Sequence, residues 1–248
     1  MKYFRGILYV LYQPYKWLFY IPFFFINTII FGVIAVIVAS LVNQKIGSYW
    51  GGVVWSRFNS LLVPMLVKVE GKENIQPNTS YIVLSNHQSA FDIFVVYGWL
   101  GVDLKWVMKK ELRKVPGIGF GSEKVGHIFL DRSNKRAAVE SLAIARKKLV
   151  NGTCVVIFPE GTRSNDGVLL PFKRGAFKLA IDLGLPILPV TVINTRKILP
   201  NKTLNIFPGK VQLKIHAPIE ISGFNENNMG ELIVNVRDQI ASAVPEMK

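Results

Sequence analysis

Residues 17–44 form a run of 28 positions without a single charge, and this run constrains the chain more than any other stretch. About 20 apolar residues suffice to cross the hydrocarbon core of a bilayer, and residues 18–42 exceed that length. The run does not read as a cleavable signal peptide, being too long and lacking a small-residue cleavage site after it. Lys2, Arg5 and Lys16 precede it, and Lys45 and Arg57 follow it. Positive charge at both ends chooses no orientation. Pro14 and Pro22 interrupt the first part, and Tyr9, Tyr12, Tyr15, Trp17, Phe19 and Tyr20 supply rings suited to the headgroup boundary. From about residue 47 to 66, Trp50, Val53, Val54, Phe58, Leu61 and Leu62 recur at helical spacing. The expectation is a helical pair in residues 1–63 that dips into one leaflet and returns, with a single crossing as the alternative. The expected location is the cytoplasmic face of the cell membrane, monotopic or re-entrant.

Charge agrees with a membrane partner. The net charge is +14, from 30 Lys and Arg against 16 Asp and Glu, and the first acid is Glu70. Mean hydropathy is +0.30. A chain both greasy and basic suits an anionic membrane surface, whereas nucleic-acid modules rarely carry a long apolar segment, so no nucleic acid is expected. One cysteine, Cys154, allows neither an internal disulfide nor a cysteine metal cluster, and it sits in a buried-strand pattern. His127 and His216 lack an acidic partner at useful spacing and read as structural, so no catalytic metal is expected.

Beyond residue 63 the pattern changes. Short apolar runs at 66–70, 81–85, 104–108, 127–130, 154–158, 187–192 and 211–216 predict strands. Between them lie helical stripes: Ala138, Leu142, Ala145 and Leu149; then Ala176, Leu179, Ala180 and Leu183, closed by Gly184; then Ile233, Val236, Ile240 and Val244. The alternation predicts one α/β domain over residues 64–248, a mixed, largely buried sheet flanked by helices.

Asn86-His87-Gln88-Ser89-Ala90-Phe91-Asp92 lies on a strand-to-helix connection of that domain. An imidazole with a carboxylate five residues on can act as a general base with an orienter, although a surface turn explains the pair equally well. Three more segments raise its weight. Residues 126–133 deliver Arg132 at a strand end, residues 158–164 carry Glu160, Gly161, Thr162 and Arg163 in a tight turn, and residues 185–190 hold Pro186 and Pro189. Open α/β sheets bind ligands at such strand ends.

These four blocks, in this order and spacing, resemble the glycerolipid acyltransferase family, and within it the 1-acyl-glycerol-3-phosphate acyltransferases. Asn86 to Asp92 matches the family's His-x4-Asp block, and the resemblance spans residues 63–192, with Leu130 where isoleucine is more usual. It implies the glycerolipid acyltransferase fold and transfer of a fatty acyl chain from a thioester of coenzyme A or acyl carrier protein, with no cofactor. His87 would take the proton of a glycerol hydroxyl, and Asp92 would hold the ring. Ser89 lacks the Gly-x-Ser-x-Gly elbow of a covalent nucleophile. Arg132 and Arg163 are the candidates for the substrate phosphate, since guanidinium forks match phosphate oxygens. Surface pairing with Asp131 or Asp166 is the competing account. Glu160 would order Arg163 or a turn amide, or accept from a substrate hydroxyl, with Gly161 and Thr162 as donors.

Strand alternation aims Lys105 at the phosphate pocket, leaving Lys109, Lys110, Arg113 and Lys114 to lipid headgroups or an acidic acyl carrier protein. Lys173 and Arg174, opening a helix at Gly175, are a similar case. The expected reaction acylates the sn-2 hydroxyl of a membrane lipid acceptor, lysophosphatidic acid, yielding phosphatidic acid. Glycerol 3-phosphate or another lysophospholipid is the alternative acceptor. A non-catalytic adaptor on anionic membranes is the alternative class.

Overall fold

A computed structural model describes residue 10, residues 12–131 and residues 133–244. Each predicted apolar run becomes a strand: β1 (Met65–Glu70), β2 (Ile82–Ser85), β3 (Asp103–Lys109), β4 (Ile128–Leu130), β5 (Thr153–Ile157), β6 (Ile187–Ile193) and β7 (Gly209–Ile215). They form one mixed sheet ordered β1-β7-β6-β2-β5-β3-β4, parallel except at the antiparallel β6–β7 pair. The carboxyl ends of β6, β2, β5, β3 and β4 therefore share one edge, where the first three candidate blocks run past β2, β4 and β5, whereas the fourth, residues 185–190, opens β6 at the opposite edge.

Both faces of the sheet are buried, because strand alternation sends Ile82 and Leu84 into one core and Val83 into the other. Helices Lys135–Lys148, Arg174–Leu183 and Met229–Ala241 cover the Ile82 face. Gly184 ends the second of these in the left-handed region, at φ 71°, as its position after the stripe predicts. The last helix stops at Ala241, short of Val244.

The Val83 face is covered by helix Asp92–Trp99 and by the N-terminal helices, whose Tyr20, Phe24 and Trp55 join the same core. Trp55 lies 4.9 Å from Phe94, ring centre to ring centre, and Phe24 lies 6.2 Å from it. Helix Ile21–Leu41 leads into Gln44–Ser48, then a π-helical stretch Tyr49–Val54, then Trp55–Leu62. Pro22 does not break the first helix: the chain is already helical from Tyr12, and the turn before the proline, Lys16–Tyr20, is π-helical, a local adjustment at the point where the amide is missing. The second stops at Leu62 and not Leu66, because Pro64 forces its predecessor out of helical geometry and β1 begins at Met65.

The two arms run antiparallel. Asn27 and Asn59 exchange amide hydrogen bonds of 3.1 and 3.0 Å, the Trp55 indole donates to Thr28 Oγ1 at 3.1 Å, and Gly47 and Gly51 lie against Ala39 and Ala35. Small residues and paired amides are how helices associate where the hydrophobic effect is weak. The Tyr15 hydroxyl donates to the Leu62 carbonyl at 2.9 Å, so the hairpin returns to its starting level. Tyr12–Leu41 is long and apolar enough to cross a membrane, and its outer face, including Ile29, Val33 and Leu41, is bare. That bare face is consistent with membrane association.

Two tests follow from this packing. A side chain at Gly47 would begin 2.5 Å from Ala39 Cβ and 2.6 Å from the Ala35 carbonyl oxygen. Gly47→Leu is therefore expected to cost about 1–3 kcal/mol, read as a lower melting temperature in detergent. Burial pushes His127 down to about 3 and His216 to about 4, from an ordinary 6.5, helped by Lys105 and Lys148 around the first and Lys214 near the second. The unfolded chain then takes protons before the folded one. Stability is full above pH 6.5 and falls below it, by about 1 kcal/mol per pH unit for each histidine. Thermal melts across that range check this, and His127→Gln should flatten the slope.

Candidate active site

β2 ends at Ser85, and the next residue acts as a substitute strand partner. Asn86 Nδ2 donates to the Val192 carbonyl at 2.9 Å, and its Oδ1 accepts from the Val192 amide at 2.7 Å, locking the connection to β6. The chain then folds around Asp92, which is fully buried. Asp92 Oδ2 accepts from the amides of Gln88 and Ser89 at 2.6 and 2.9 Å and stands 2.7 Å from His87 Nδ1. Oδ1 accepts from the Thr195 hydroxyl. Because a carboxylate can only accept, the proton of His87 sits on Nδ1, leaving Nε2 with a basic lone pair. No other described side chain engages that nitrogen. The imidazole stacks on Phe158, 3.9 Å between centres and 12° between planes, and 13% of the side chain remains exposed.

The turn after β5 closes the other wall. Glu160, buried to 2% exposure, accepts from the His87 amide at 2.7 Å through Oε1 and from the Leu170 amide at 2.9 Å through Oε2. The Ser164 amide returns a 2.8 Å bond to the His87 carbonyl. Glu160 is thus a strut between the turn and the histidine backbone, one of the roles expected for it. Each oxygen holds one amide, and burial leaves the carboxylate little open surface. Burial raises its carboxyl, opposed by those two amide bonds. Gly161 is left-handed at φ 71°, and its amide is spent on the Phe158 carbonyl at 3.0 Å. Thr162 is exposed and Arg163 half-buried. The Arg163 guanidinium makes no ion pair among the described residues. Asp166, its alternative partner, accepts through Oδ1 from the Ser164 hydroxyl at 2.9 Å and the Val168 amide at 3.0 Å and makes no ion pair with Arg163.

Lys105 departs from expectation. Its ammonium is buried in an ion pair with Asp103 at 2.8 Å and donates to the Val125 carbonyl at 3.0 Å. Register explains why: Lys105 pairs with Val155 in mid-sheet, on the face opposite Trp106, whose ring approaches Phe158 beside the histidine. Arg132 lies outside the described residues. Asp131, just before it, pairs with Lys110 at 2.6 Å. Ser89 is buried, donates to the Leu199 carbonyl at 2.7 Å and accepts from the Phe91 amide at 3.2 Å, which leaves it no nucleophilic role.

Two further residues reach this site, Lys173 from among the expected cations and Thr195 from outside the expected set. Lys173 lies across Gly161, its Nζ 2.5 Å from where a Cβ would begin, and its amide donates to the Pro159 carbonyl at 2.8 Å, so a second cation covers the turn. Its neighbour Arg174 turns away to the Glu226 carbonyl. Thr195 has no signal in the sequence, standing 103 residues from the carboxylate it serves.

A family model described as Acyltransferase matches residues 66–193. The chain belongs to the acyltransferase family. It is 33% identical over 221 residues to the 1-acyl-sn-glycerol-3-phosphate acyltransferase of Saccharomyces cerevisiae, covering 88% of this chain and 73% of that one. A chloroplastic 1-acyl-sn-glycerol-3-phosphate acyltransferase of Brassica napus is 38% identical over 153 residues, 61% of this chain and 44% of the other, so the chain spans under half of that relative's length. The crystal structure of PlsC, the 1-acyl-sn-glycerophosphate (LPA) acyltransferase of Thermotoga maritima, superposes with a TM-score of 0.69 at 31% identity, covering 98% of this chain and 96% of that one. The acyltransferase architecture therefore includes the N-terminal hairpin as well as the sheet.

Thr195 is open to a direct test. Thr195→Val leaves Asp92 Oδ1 without its hydroxyl donor, and a hydrogen bond to a charged group is worth about 1.5–3 kcal/mol. The carboxylate then bears more charge against the imidazolium, so the acid limb of kcat/KM should move to higher pH while kcat falls roughly tenfold. Glu160, the other acid facing this turn, stays as it is. Thr195→Ser should restore both. A pH profile identical to the parent's would remove Thr195 from the site.

Proposed function

We propose that this acyltransferase moves a fatty acyl chain from an acyl thioester to the free sn-2 hydroxyl of 1-acyl-glycerol 3-phosphate, forming phosphatidic acid. The observation that carries the reading is the His87–Asp92 pair at 2.7 Å, with Nε2 unengaged beside a turn holding an uncommitted Arg163. The relatives named above are 1-acyl-sn-glycerol-3-phosphate acyltransferases, which supports the same substrate here.

The acceptor hydroxyl attacks the thioester carbonyl as His87 Nε2 takes its proton, and Asp92 balances the imidazolium. The tetrahedral species expels the thiolate, the carbon–sulfur bond breaks, and the imidazolium returns the proton to sulfur. Ester and free thiol result, with His87 restored. Phe158 keeps the ring in plane, and Arg163, with Lys173, holds the phosphate. Coenzyme A and acyl carrier protein both supply the thioester this chemistry needs.

The hairpin supports a monotopic arrangement, and the face expected for it is the cytoplasmic one. Its arms return to one level and its inner face shares the sheet's core, so the active site stays at the bilayer surface where the acceptor resides.

His87→Ala should lower kcat by about 10²–10⁴-fold with vesicle binding intact, measured with purified protein, radiolabelled acyl donor and vesicle-borne acceptor. Wild-type turnover by this variant would end the general-base assignment. Arg163→Ala should raise the KM for lysophosphatidic acid while leaving that for the acyl donor unchanged. Equal efficiency with glycerol 3-phosphate in an acceptor panel would sink the lipid-acceptor assignment.

A further inference from the structure

Residues 110–124, which join β3 to β4, are folded inside out. The stretch comprises a 3-10 helix Lys110–Lys114 and an α-helix Ile118–Lys124. Between residues 111 and 120 the buried residue is a glycine, Gly119, whereas Leu112, Val115, Ile118 and Phe120 are 38%, 38%, 51% and 60% exposed. This display is built in. A Cβ at Gly119 would sit 1.9 Å from the Arg113 carbonyl oxygen, so only glycine lets the two helices close on each other, and Arg113 pairs with Glu123 across the closure. Burying the glycine turns the large apolar side chains outward.

Two further observations identify what these side chains meet. The first is continuity with the lipid-suited face: Gly121 lies against Val36 of helix Ile21–Leu41, next to Val33 and Ile37, which are 53% and 50% exposed. The second is charge. Glu123 and Asp131 are neutralised by Arg113 and Lys110, while Lys109 and Lys114 have no ion-pair partner among the described residues and Lys124 rests over the Phe120 ring at 5.5 Å, three cations against the one exposed unpaired acid of the stretch, Glu111. An apolar tip with free cations at its base matches the chain-to-headgroup boundary of an anionic bilayer.

We propose that residues 110–124 form a second membrane-inserting surface, separate from the N-terminal hairpin. Leu112, Val115, Ile118 and Phe120 enter the acyl-chain region of an anionic leaflet, and Lys109, Lys114 and Lys124 lie among its phosphates. With the hairpin it gives the sheet two points of attachment, the second starting at the strand edge that carries His87. The surface does not depend on which acceptor is acylated.

The test uses the full chain with an environment-sensitive NBD label on an introduced cysteine. Cys154 is buried and its thiol pushed up to about 12 by that burial, so it stays unlabelled. The positions are Phe120→Cys, Ile29→Cys on the hairpin and Val234→Cys on the remote helix Met229–Ala241. On vesicles of phosphatidylcholine with phosphatidylglycerol, the label at 120 should shift to the blue and be quenched by doxyl-labelled lipid, as at 29. Position 234 should do neither. A label at 120 that behaves like the one at 234 overturns the proposal. So does shielding that appears without vesicles and grows with protein concentration, which assigns the patch to a second copy of the chain. A response to an acidic carrier protein but not to vesicles overturns it as well. Ile118→Ser with Phe120→Ser should reduce transfer to vesicle-borne acceptor severalfold and leave transfer to micelle-dispersed acceptor unchanged. The label needs no turnover, so it fails or succeeds separately from the acyl-transfer reading.

Discussion

A carboxylate removed from water must be matched by donors, because an uncompensated buried charge costs several kcal/mol. Asp92 is such a group, and the structure around the site is the set of donors that satisfy it. The amides of Gln88 and Ser89 curl the connection after β2 onto one oxygen, His87 completes that oxygen, and Thr195 reaches the other from beyond β6. Two chain segments, residues 87–92 and the turn at Thr195, are drawn together by one charge. The same arrangement leaves the imidazole with a single free nitrogen.

The histidine is held as firmly by its backbone as by its ring. Glu160 takes the His87 amide and the Leu170 amide, and Ser164 takes the His87 carbonyl, so the turn after β5 and the connection after β2 form one rigid wall. This division of labour separates two acids of the same neighbourhood. Asp92 meets the imidazole, whereas Glu160 meets peptide groups. Arg163, with neither acid available to it, is the uncommitted cation at the mouth.

The N-terminal hairpin follows the opposite logic. The hairpin displays apolar side chains outward and joins its arms with amides and glycines, the arrangement expected where lipid offers no hydrophobic reward for helix contact. Its inner aromatics enter the core beneath helix Asp92–Trp99, whose first residue is the buried carboxylate. Anchor and active site are thereby parts of one packed body, not a domain and a tether.

Periodicity made the sheet legible, because seven runs of apolar residues separated by amphipathic stripes admit few arrangements other than a covered α/β sheet. The His-x4-Asp pair and the Glu160 to Arg163 turn were legible for a related reason: their partners lie within a few residues or at adjacent strand ends. Lys105 was misread because alternation reports the face a side chain takes, not the partner it finds there, and Asp103 two residues away claims it. Thr195 and the apolar display around Gly119 were invisible, each depending on a contact set by strand order or backbone closure. The sequence by itself determined the elements, their faces and the chemical groups at the strand ends, since these follow from local pattern. Only the tertiary structure decided which donors satisfy each buried charge, because that depends on the register of segments up to 103 residues apart.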